Sequence, residues 1–211
     1  MNLDFLLQLP ILFFSIIIHE YSHGAVAEHY GDDTARVMGR LTLNPLAHVD
    51  PIGTIMLPIF CLITHAPVFG WAKPVPVSPH RLRNRPTSLL LVSAVGPVSN
   101  FLLACLFSGG LYLGVLFARE ASFFPLLVEI LNFAVLVNLY LCVFNLLPIH
   151  PLDGSKVLSN LLPYEWSVRF DSLAPYGFFI IMMLMFSGFL GRFLVPVVAW
   201  LHGLLLMGIY R

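Results

Sequence analysis

Residues 86–118 read PTSLLLVSAVGPVSNFLLACLFSGGLYLGVLFA, a run of 33 positions without Asp, Glu, Lys or Arg. A helix needs about 20 predominantly apolar residues to cross a bilayer, so this run is long enough. Four more uncharged runs of 18 to 23 residues lie at 51–72, 130–152, 172–191 and 193–210. Together these runs predict a polytopic membrane protein.

The overall composition excludes most other classes of protein. Of the 211 residues, 58% are apolar and 10% are charged, whereas a soluble domain carries about 25% charged residues. Too little polar sequence remains to cover a soluble core of this size. Eleven acidic residues balance eleven basic ones, so no net charge favours nucleic acid as a partner. We therefore expect one integral-membrane domain over residues 1–211, with the lipid bilayer as its surroundings.

The predicted fold is an all-α helical bundle of about five to six transmembrane segments. The helices are expected at about 4–30, 87–118 and 126–147, which form the core, and at about 174–191 and 193–210, which are accessory. Residues 37–43 carry a strand-like pattern, which favours a short β-hairpin at the membrane surface. Residues 51–72 are apolar but broken by proline and glycine, so they either span the membrane or form a re-entrant loop.

A metal-binding motif lies at the end of the first predicted helix. His19-Glu20-Tyr21-Ser22-His23 matches H-E-x-x-H, for which chance predicts only about 0.007 occurrences in this composition. Residues four apart on a helix differ by about 40° in direction and about 6 Å in height, so both imidazoles can bind one metal ion. Zn²⁺ suits such ligands, and Glu20 is close enough to take a proton from a water that the metal activates.

A hydrolytic zinc site needs a third protein ligand, and Asp153 is the best candidate. It follows a long uncharged run in the sequence NLLPIHPLDG, residues 145–154, whose prolines interrupt the helix. A carboxylate on irregular backbone within a membrane lines a cavity or binds something. Two alternatives stay open: Asp153 caps the next helix, or His150 is the ligand instead.

The chain resembles the site-2 protease family of intramembrane zinc metalloproteases. The resemblance is carried, in the family's order, by HEYSHG (19–24), GRLTLNP (39–45), DPIGT (50–54), FGWAKPVPV (69–77), GPVSN (96–100) and FNLLPIHPLDG (144–154). It is similar to the short subgroup that lacks peptide-binding and nucleotide-binding accessory domains.

The resemblance implies a set of residue roles. His19, His23 and Asp153 would hold one zinc ion, with Glu20 as the catalytic base. Asn145 would donate a hydrogen bond to the substrate or to the developing oxyanion. Asn100 would have a supporting polar role, or make an interhelical hydrogen bond. The implied partner is a membrane-protein substrate, expected to be single-pass, and neither its identity nor the oligomeric state is predicted.

Charge asymmetry orients the chain in the cell membrane. Residues 73–86 contain four Lys or Arg and no acidic residue, which places them in the cytoplasm. Counting spans from there brings Asp153 to the cytoplasmic side. If His19 lies at the same depth as Asp153, the first helix runs from the outside toward the cytoplasm. Residues 51–72 then do not span the membrane.

Two other functions fit an intramembrane cluster of ionisable residues. A metal-ion transporter would need several ligand clusters along a pore, whereas the sequence offers one. An inactive, substrate-binding relative would not need Glu20. Both alternatives are therefore weaker than a protease.

Overall fold

The computed structural model describes residues 3–64 and 70–208 of the chain. The α-helices are α1 (Leu3–His29), α2 (Thr34–Val37), α3 (Leu57–Ile63), α4 (Arg85–Phe117), α5 (Phe124–Asn145), α6 (Asp153–Leu161), α7 (Tyr164–Asp171), α8 (Gly177–Phe186) and α9 (Phe189–Leu206). Short 3₁₀ turns at Pro45–His48 and Ala174–Tyr176 and a π-helical turn at Pro51–Met56 complete the regular structure there. The prediction of an all-α fold is confirmed.

Five helical stretches within the described ranges are long and apolar enough to cross a membrane. They are Gln8–His29, Arg85–Phe117, Phe124–Asn145, Tyr164–Phe186 and Phe189–Leu206. The fourth stretch is composite, since it joins α7, a 3₁₀ turn and α8. The number of spans agrees with the lower end of the predicted range.

The three core helices lie within about two residues of their predicted limits, but the boundary between the accessory helices was wrong. The predicted helices at about 174–191 and 193–210 meet at Arg192, which separates two uncharged runs. Instead Arg192 lies inside α9, and the break is at Gly188, whose φ is +72°. This left-handed conformation suits glycine, and it ends α8 before the charged residue. Positions 209 and 210 of the predicted last helix lie outside the described residues.

The expected β-hairpin at residues 37–43 was also wrong, since the structure has no strand there. The backbone N–H of Thr34 donates to Asp32 Oδ1 at 3.1 Å, at the start of α2. Gly39 then turns the chain with a φ of +65°. These local turn interactions override the strand-like pattern that follows.

The long connection between α1 and α4 starts and finishes at one end of the bundle. The backbone N–H of Arg83 donates to Tyr30 O at 2.9 Å, and that of Trp71 to Gly53 O at 3.1 Å. Gly53 and Trp71 are therefore neighbours, so the described residues before and after 65–69 meet at one place. Residues 65–69 of the predicted re-entrant or spanning segment lie outside the described residues, and the choice between the two stays a prediction.

Two apolar clusters hold the helices and the metal-site loop in place. The first cluster joins α4, α5 and α9 through the buried residues Ala104, Val135, Leu139 and Val198. The second cluster joins the loop before α6 to α8 and α9 through Leu152, Ile181, Leu190 and Leu194. Because Leu152 is anchored in this way, the next residue, Asp153, has a fixed position at the end of the bundle.

Candidate metal centre

Three buried side chains converge where α1 meets the start of α6. His19 Nε2 lies 3.1 Å from His23 Nε2 and 3.0 Å from Asp153 Oδ2. His23 Nε2 lies 3.1 Å from the same carboxylate oxygen. Each of the three residues is less than one-tenth exposed, at 7%, 8% and 6% respectively. Among the described residues, no other group of three His, Cys, Asp or Glu side chains has such an arrangement.

The hydrogen bonds of the two histidines determine which nitrogens face the cluster. His19 Nδ1 lies 2.6 Å from Asn100 Oδ1, and His23 Nδ1 lies 2.6 Å from the backbone oxygen of Val92. Both oxygens can only accept, so both Nδ1 atoms carry a proton. The Nε2 lone pairs therefore point at each other and at Asp153. Three electron-rich atoms at this spacing can hold a cation between them.

The dimensions and chemistry of the cluster fit a zinc ion. Tetrahedral ligands about 2.0–2.2 Å from zinc are roughly 3.3–3.6 Å apart, so the observed 3.0–3.1 Å needs an expansion of a few tenths of an ångström. Burial opposes ionisation of Asp153, but its contacts with His19 and His23 and the charge of Lys156 hold its pKa below the ordinary value. Asp153 is therefore a carboxylate, as a ligand must be.

A buried chain of polar side chains supports His19 from behind. Asn100 Nδ2 donates to Asn138 Oδ1 at 2.9 Å and to the backbone oxygen of Ser15 at 3.2 Å. Asn138 Nδ2 donates to Ser15 Oγ at 2.8 Å. All three residues are fully buried, at 0% exposure, and they belong to α1, α4 and α5. Asn100 thus combines the two predicted options, since it contacts a candidate ligand and also joins the helices.

Sequence reasoning missed Asn138 and Ser15. A signal for Asn138 was available, because an amide in the middle of an uncharged spanning run is costly unless it has a partner. Ser15 carries no such signal, since a serine in a membrane helix can bond to its own backbone, as Ser15 Oγ does to Ile11 O at 2.8 Å.

Two glycines permit the close approach of backbone that builds the cluster. A Cβ at Gly96 of α4 would lie 2.7 Å from His19 Nε2 and closer still to His23 Nε2. A Cβ at Gly154 would lie 2.5 Å from the backbone oxygen of Leu147. Glycine is therefore required at both positions, for packing and not for an unusual backbone angle.

Glu20 lies between the metal cluster and a large apolar cavity. Its Oε2 atom accepts a hydrogen bond from the backbone N–H of Val75 at 2.7 Å. The cavity has a volume of about 500 Å³. Its apolar walls include Ile16, Trp71, Leu141, Phe144, Phe178 and Ile181. Because His19 and Glu20 also line it, a chain in this cavity would lie beside one candidate ligand and the candidate base.

The structure also locates the remaining candidates. Asn145 lines the same cavity, and its Nδ2 donates to Leu141 O at 2.9 Å, which leaves its second amide hydrogen to donate. His150 faces Ser155 Oγ at 3.2 Å and Asp171 Oδ1 at 3.4 Å, so it is not placed as a ligand. Asp153 is the first residue of α6, whose N-cap is Leu152, and among the described residues its side chain bonds to His19, His23 and Lys156, so the capping alternative does not describe it.

The chain is similar in sequence to known proteins. Residues 112–188, which include Asn145 and Asp153, match the profile of Peptidase family M50. The relatives that carry the name "Putative zinc metalloprotease" include the following three. YwhC of Bacillus subtilis is 39% identical over 178 residues, which cover 82% of this chain and 77% of YwhC.

The other two relatives are both called Rip2. The protein of Mycolicibacterium smegmatis is 29% identical over 196 residues, 93% of this chain and 73% of its own. That of Mycobacterium tuberculosis is 28% identical over 194 residues, 90% of this chain and 70% of its own. No solved structure matches the chain significantly. The extent and identity of the match to YwhC, together with five apolar helices, establish that the chain is a multi-pass membrane protein of Peptidase family M50, the site-2 protease family of zinc metalloproteases.

Proposed function

We propose that this protein is an intramembrane zinc metalloprotease that hydrolyses peptide bonds within or near transmembrane segments of membrane proteins. The observation that carries the proposal is the convergence of His19, His23 and Asp153 next to Glu20, with His19 and Glu20 on the wall of an apolar cavity lined by residues of spanning helices. A binding protein would need the cavity alone. A hydrolase needs a metal site and a base next to it.

His19, His23 and Asp153 would hold one zinc ion, which when bound activates a water molecule and polarises the scissile carbonyl. Glu20 is the general base in this scheme. It takes the proton of the attacking water and gives it to the leaving amine. Because the Val75 N–H occupies Oε2, the other carboxylate oxygen is available for these transfers. Asn145 supplies an amide hydrogen on the cavity wall, where it can stabilise the developing oxyanion.

The cavity suits an unwound segment of a transmembrane helix. Its apolar walls accept apolar side chains, and residues 70–74, which form neither helix nor turn, contribute Gly70, Trp71, Ala72 and Pro74 to them. In the described part of the chain, neither the backbone N–H nor the C=O of Ala72 makes a hydrogen bond. These two groups can pair with the backbone of a substrate by strand addition, which would keep the substrate extended and its peptide bond open to attack. We expect a single-pass substrate in the cell membrane.

A substrate-trapping variant tests the proposal. Glu20→Gln keeps the shape of the side chain and removes the base, so it should retain zinc and lose cleavage. We expect single-pass proteins to accumulate in membranes that contain Glu20→Gln, and the purified wild type to cleave them after reconstitution. A metal-ion transporter would largely keep its transport in the same variant.

Glu28→Gln is the matched control. Glu28 lies on the same helix but pairs with Arg36 at the surface, so this variant should cleave as the wild type does. Cleavage by Glu20→Gln at the wild-type rate, or a zinc-loaded wild type that cleaves none of the accumulating proteins, would contradict the proposed function.

A further inference from the structure

The carboxylate of Glu20 is held by a backbone group from a distant segment. The Val75 N–H donates to Glu20 Oε2 at 2.7 Å, across 55 positions of sequence. Val75 lies between Pro74 and Pro76, which have no N–H, so it is the one backbone donor of this tripeptide. A residue before proline also favours the extended conformation. The segment thus presents a single donor from a stiff backbone.

Arg40 binds the backbone of the two residues that precede Val75. Its Nη2 donates to the backbone oxygens of Lys73 at 2.7 Å and Pro74 at 3.3 Å. The residue is 8% exposed, and among the described residues it forms no ion pair with a carboxylate. Burying a guanidinium without an anionic partner is costly. Arg40 uses this buried charge to bind the two carbonyls that precede Val75.

Val75 and Leu41, the residue after Arg40, both pack against α1 at Gly24, one turn beyond Glu20. A Cβ at Gly24 would lie 2.9 Å from Val75 Cγ1 and 3.1 Å from Leu41 Cδ1. Glycine at this position therefore lets Val75, and the neighbour of Arg40, lie directly on the helix that carries the base. The three segments are in contact at one place.

Asp32 fixes the same segment further along. Its Oδ2 accepts the backbone N–H of Ser78 at 2.5 Å, and the residue is 1% exposed. Val75 therefore lies between two anchors that are both buried charged side chains. Of the two anchors, Arg40 makes its contacts nearer to the donor. It binds the two residues directly before Val75, whereas Asp32 binds Ser78.

We propose that Arg40 is a positioning residue for Glu20, acting through the carbonyls of Lys73 and Pro74 and the N–H of Val75. The inference rests on the proposed role of Glu20 as the base. Arg40 contacts none of the candidate zinc ligands, so its loss frees the carboxylate to turn without disturbing the metal. Turnover then falls while zinc binding persists, and substrate binding changes less than turnover.

The test measures kcat, KM and zinc content on a substrate that the wild type cleaves and Glu20→Gln does not. Because a misplacement of about 1 Å can cost up to about 100-fold in rate, we expect Arg40→Gln to lower kcat by about 10- to 100-fold with zinc content unchanged. KM should rise by a smaller factor than kcat falls, since Pro74 also lines the cavity. Arg40→Lys should recover part of the loss, since an ammonium can still donate to these carbonyls. Arg36→Gln is the matched control, because Arg36 lies at the surface with 68% of its side chain exposed, and it should leave kcat unchanged.

A second pair of variants tests the path through Val75. Val75→Pro removes the N–H that Glu20 accepts, whereas Val77→Pro removes an N–H that has no hydrogen-bond partner among the described residues. Val75→Pro should lower kcat as Arg40→Gln does, and Val77→Pro should not. If both residues act through one contact, the double variant Arg40→Gln/Val75→Pro is no slower than the slower single variant.

Three results would overturn the inference: full kcat in Arg40→Gln, loss of zinc from Arg40→Gln or Val75→Pro, or independent losses that multiply in the double variant. The proposed function survives any of them as long as the wild type cleaves and Glu20→Gln does not. If the proposed function were wrong, the first comparison of the wild type with Glu20→Gln would show it, because Glu20→Gln would also cleave.

Discussion

Asn100 offers the sharpest test of how the helices prepare the metal site. Its Oδ1 lies 2.6 Å from His19 Nδ1, and this contact directs His19 Nε2 toward Asp153. Asn100→Leu keeps the approximate size of the side chain and removes the acceptor. We expect the imidazole to lose its fixed orientation and its single tautomer, so that zinc binds more weakly.

The expected size of the effect separates zinc binding from folding. Loss of an outer-shell partner typically weakens metal binding by about 10- to 100-fold, which is roughly 1.4–2.8 kcal/mol. Asn100 makes hydrogen bonds to Ser15, His19 and Asn138. At about 0.6 kcal/mol for each such bond in a membrane protein, their loss costs at most about 2 kcal/mol of stability, and the apolar contacts of leucine offset part of it. Zinc affinity should therefore change more than the stability of the metal-free protein.

The assay is a chelator-competition titration of zinc on the purified protein, with the melting temperature of the metal-free form measured beside it. Asn132→Leu is the matched control, because Asn132 also pairs with a histidine between spanning helices, at 2.8 Å from His202 Nε2. His202 is not a candidate ligand, so this variant should bind zinc as the wild type does. An unchanged zinc affinity in Asn100→Leu, or an equal loss in Asn132→Leu, would refute the reasoning.

Three further predictions concern Gly96 on α4, His150 in the loop before α6, and Gly188 between α8 and α9. Gly96→Ala should lose bound zinc, because the new Cβ would lie 2.7 Å from His19 Nε2. Gly110→Ala should keep its zinc, since its Cβ would lie 3.7 Å from the nearest side-chain atom. Metal analysis of the two purified variants tests this prediction. His150→Ala should keep zinc and turnover, because His150 faces Ser155 and Asp171, and a loss of zinc would restore it as a ligand. Gly188→Ala should lower the melting temperature by the equivalent of about 1 kcal/mol, since its φ of +72° is strained for alanine, and an unchanged melting temperature would contradict this.

The helices could be predicted from the sequence because the membrane imposes a simple requirement. An uncharged run of sufficient length must become a helix in lipid, and the core runs did so within about two residues of the predicted limits. Charge is a poorer guide to a boundary within the accessory helices, because the long side chain of an arginine can extend toward the interface. Arg192 therefore continues α9, and the backbone of Gly188 sets the break.

The candidate ligands differ in how far the sequence could specify them. The spacing of His19 and His23 determines their common direction as soon as the segment is helical. Asp153 was identified by the cost of a carboxylate at membrane depth, and the structure brings it within 3.1 Å of both histidines.

The contacts that support these residues could not be predicted in the same way. Asn138 and Val75 act on His19 and Glu20 through tertiary contacts, which no local spacing in the sequence records. Arg40 lies in a motif that carries the family resemblance, but neither its burial nor its bonds to Lys73 and Pro74 follow from that motif. Only the packing of the connection onto α1 shows what this arginine holds.

The central claim is that two imidazoles and one carboxylate hold a zinc ion beside Glu20. X-ray absorption at the zinc edge, measured on purified and active protein, tests it most directly. We predict one zinc ion per chain, with two histidine nitrogens and a carboxylate oxygen about 2.0–2.2 Å away. Fully active protein without stoichiometric zinc, or a zinc ion bound by cysteine sulfur, would contradict the account.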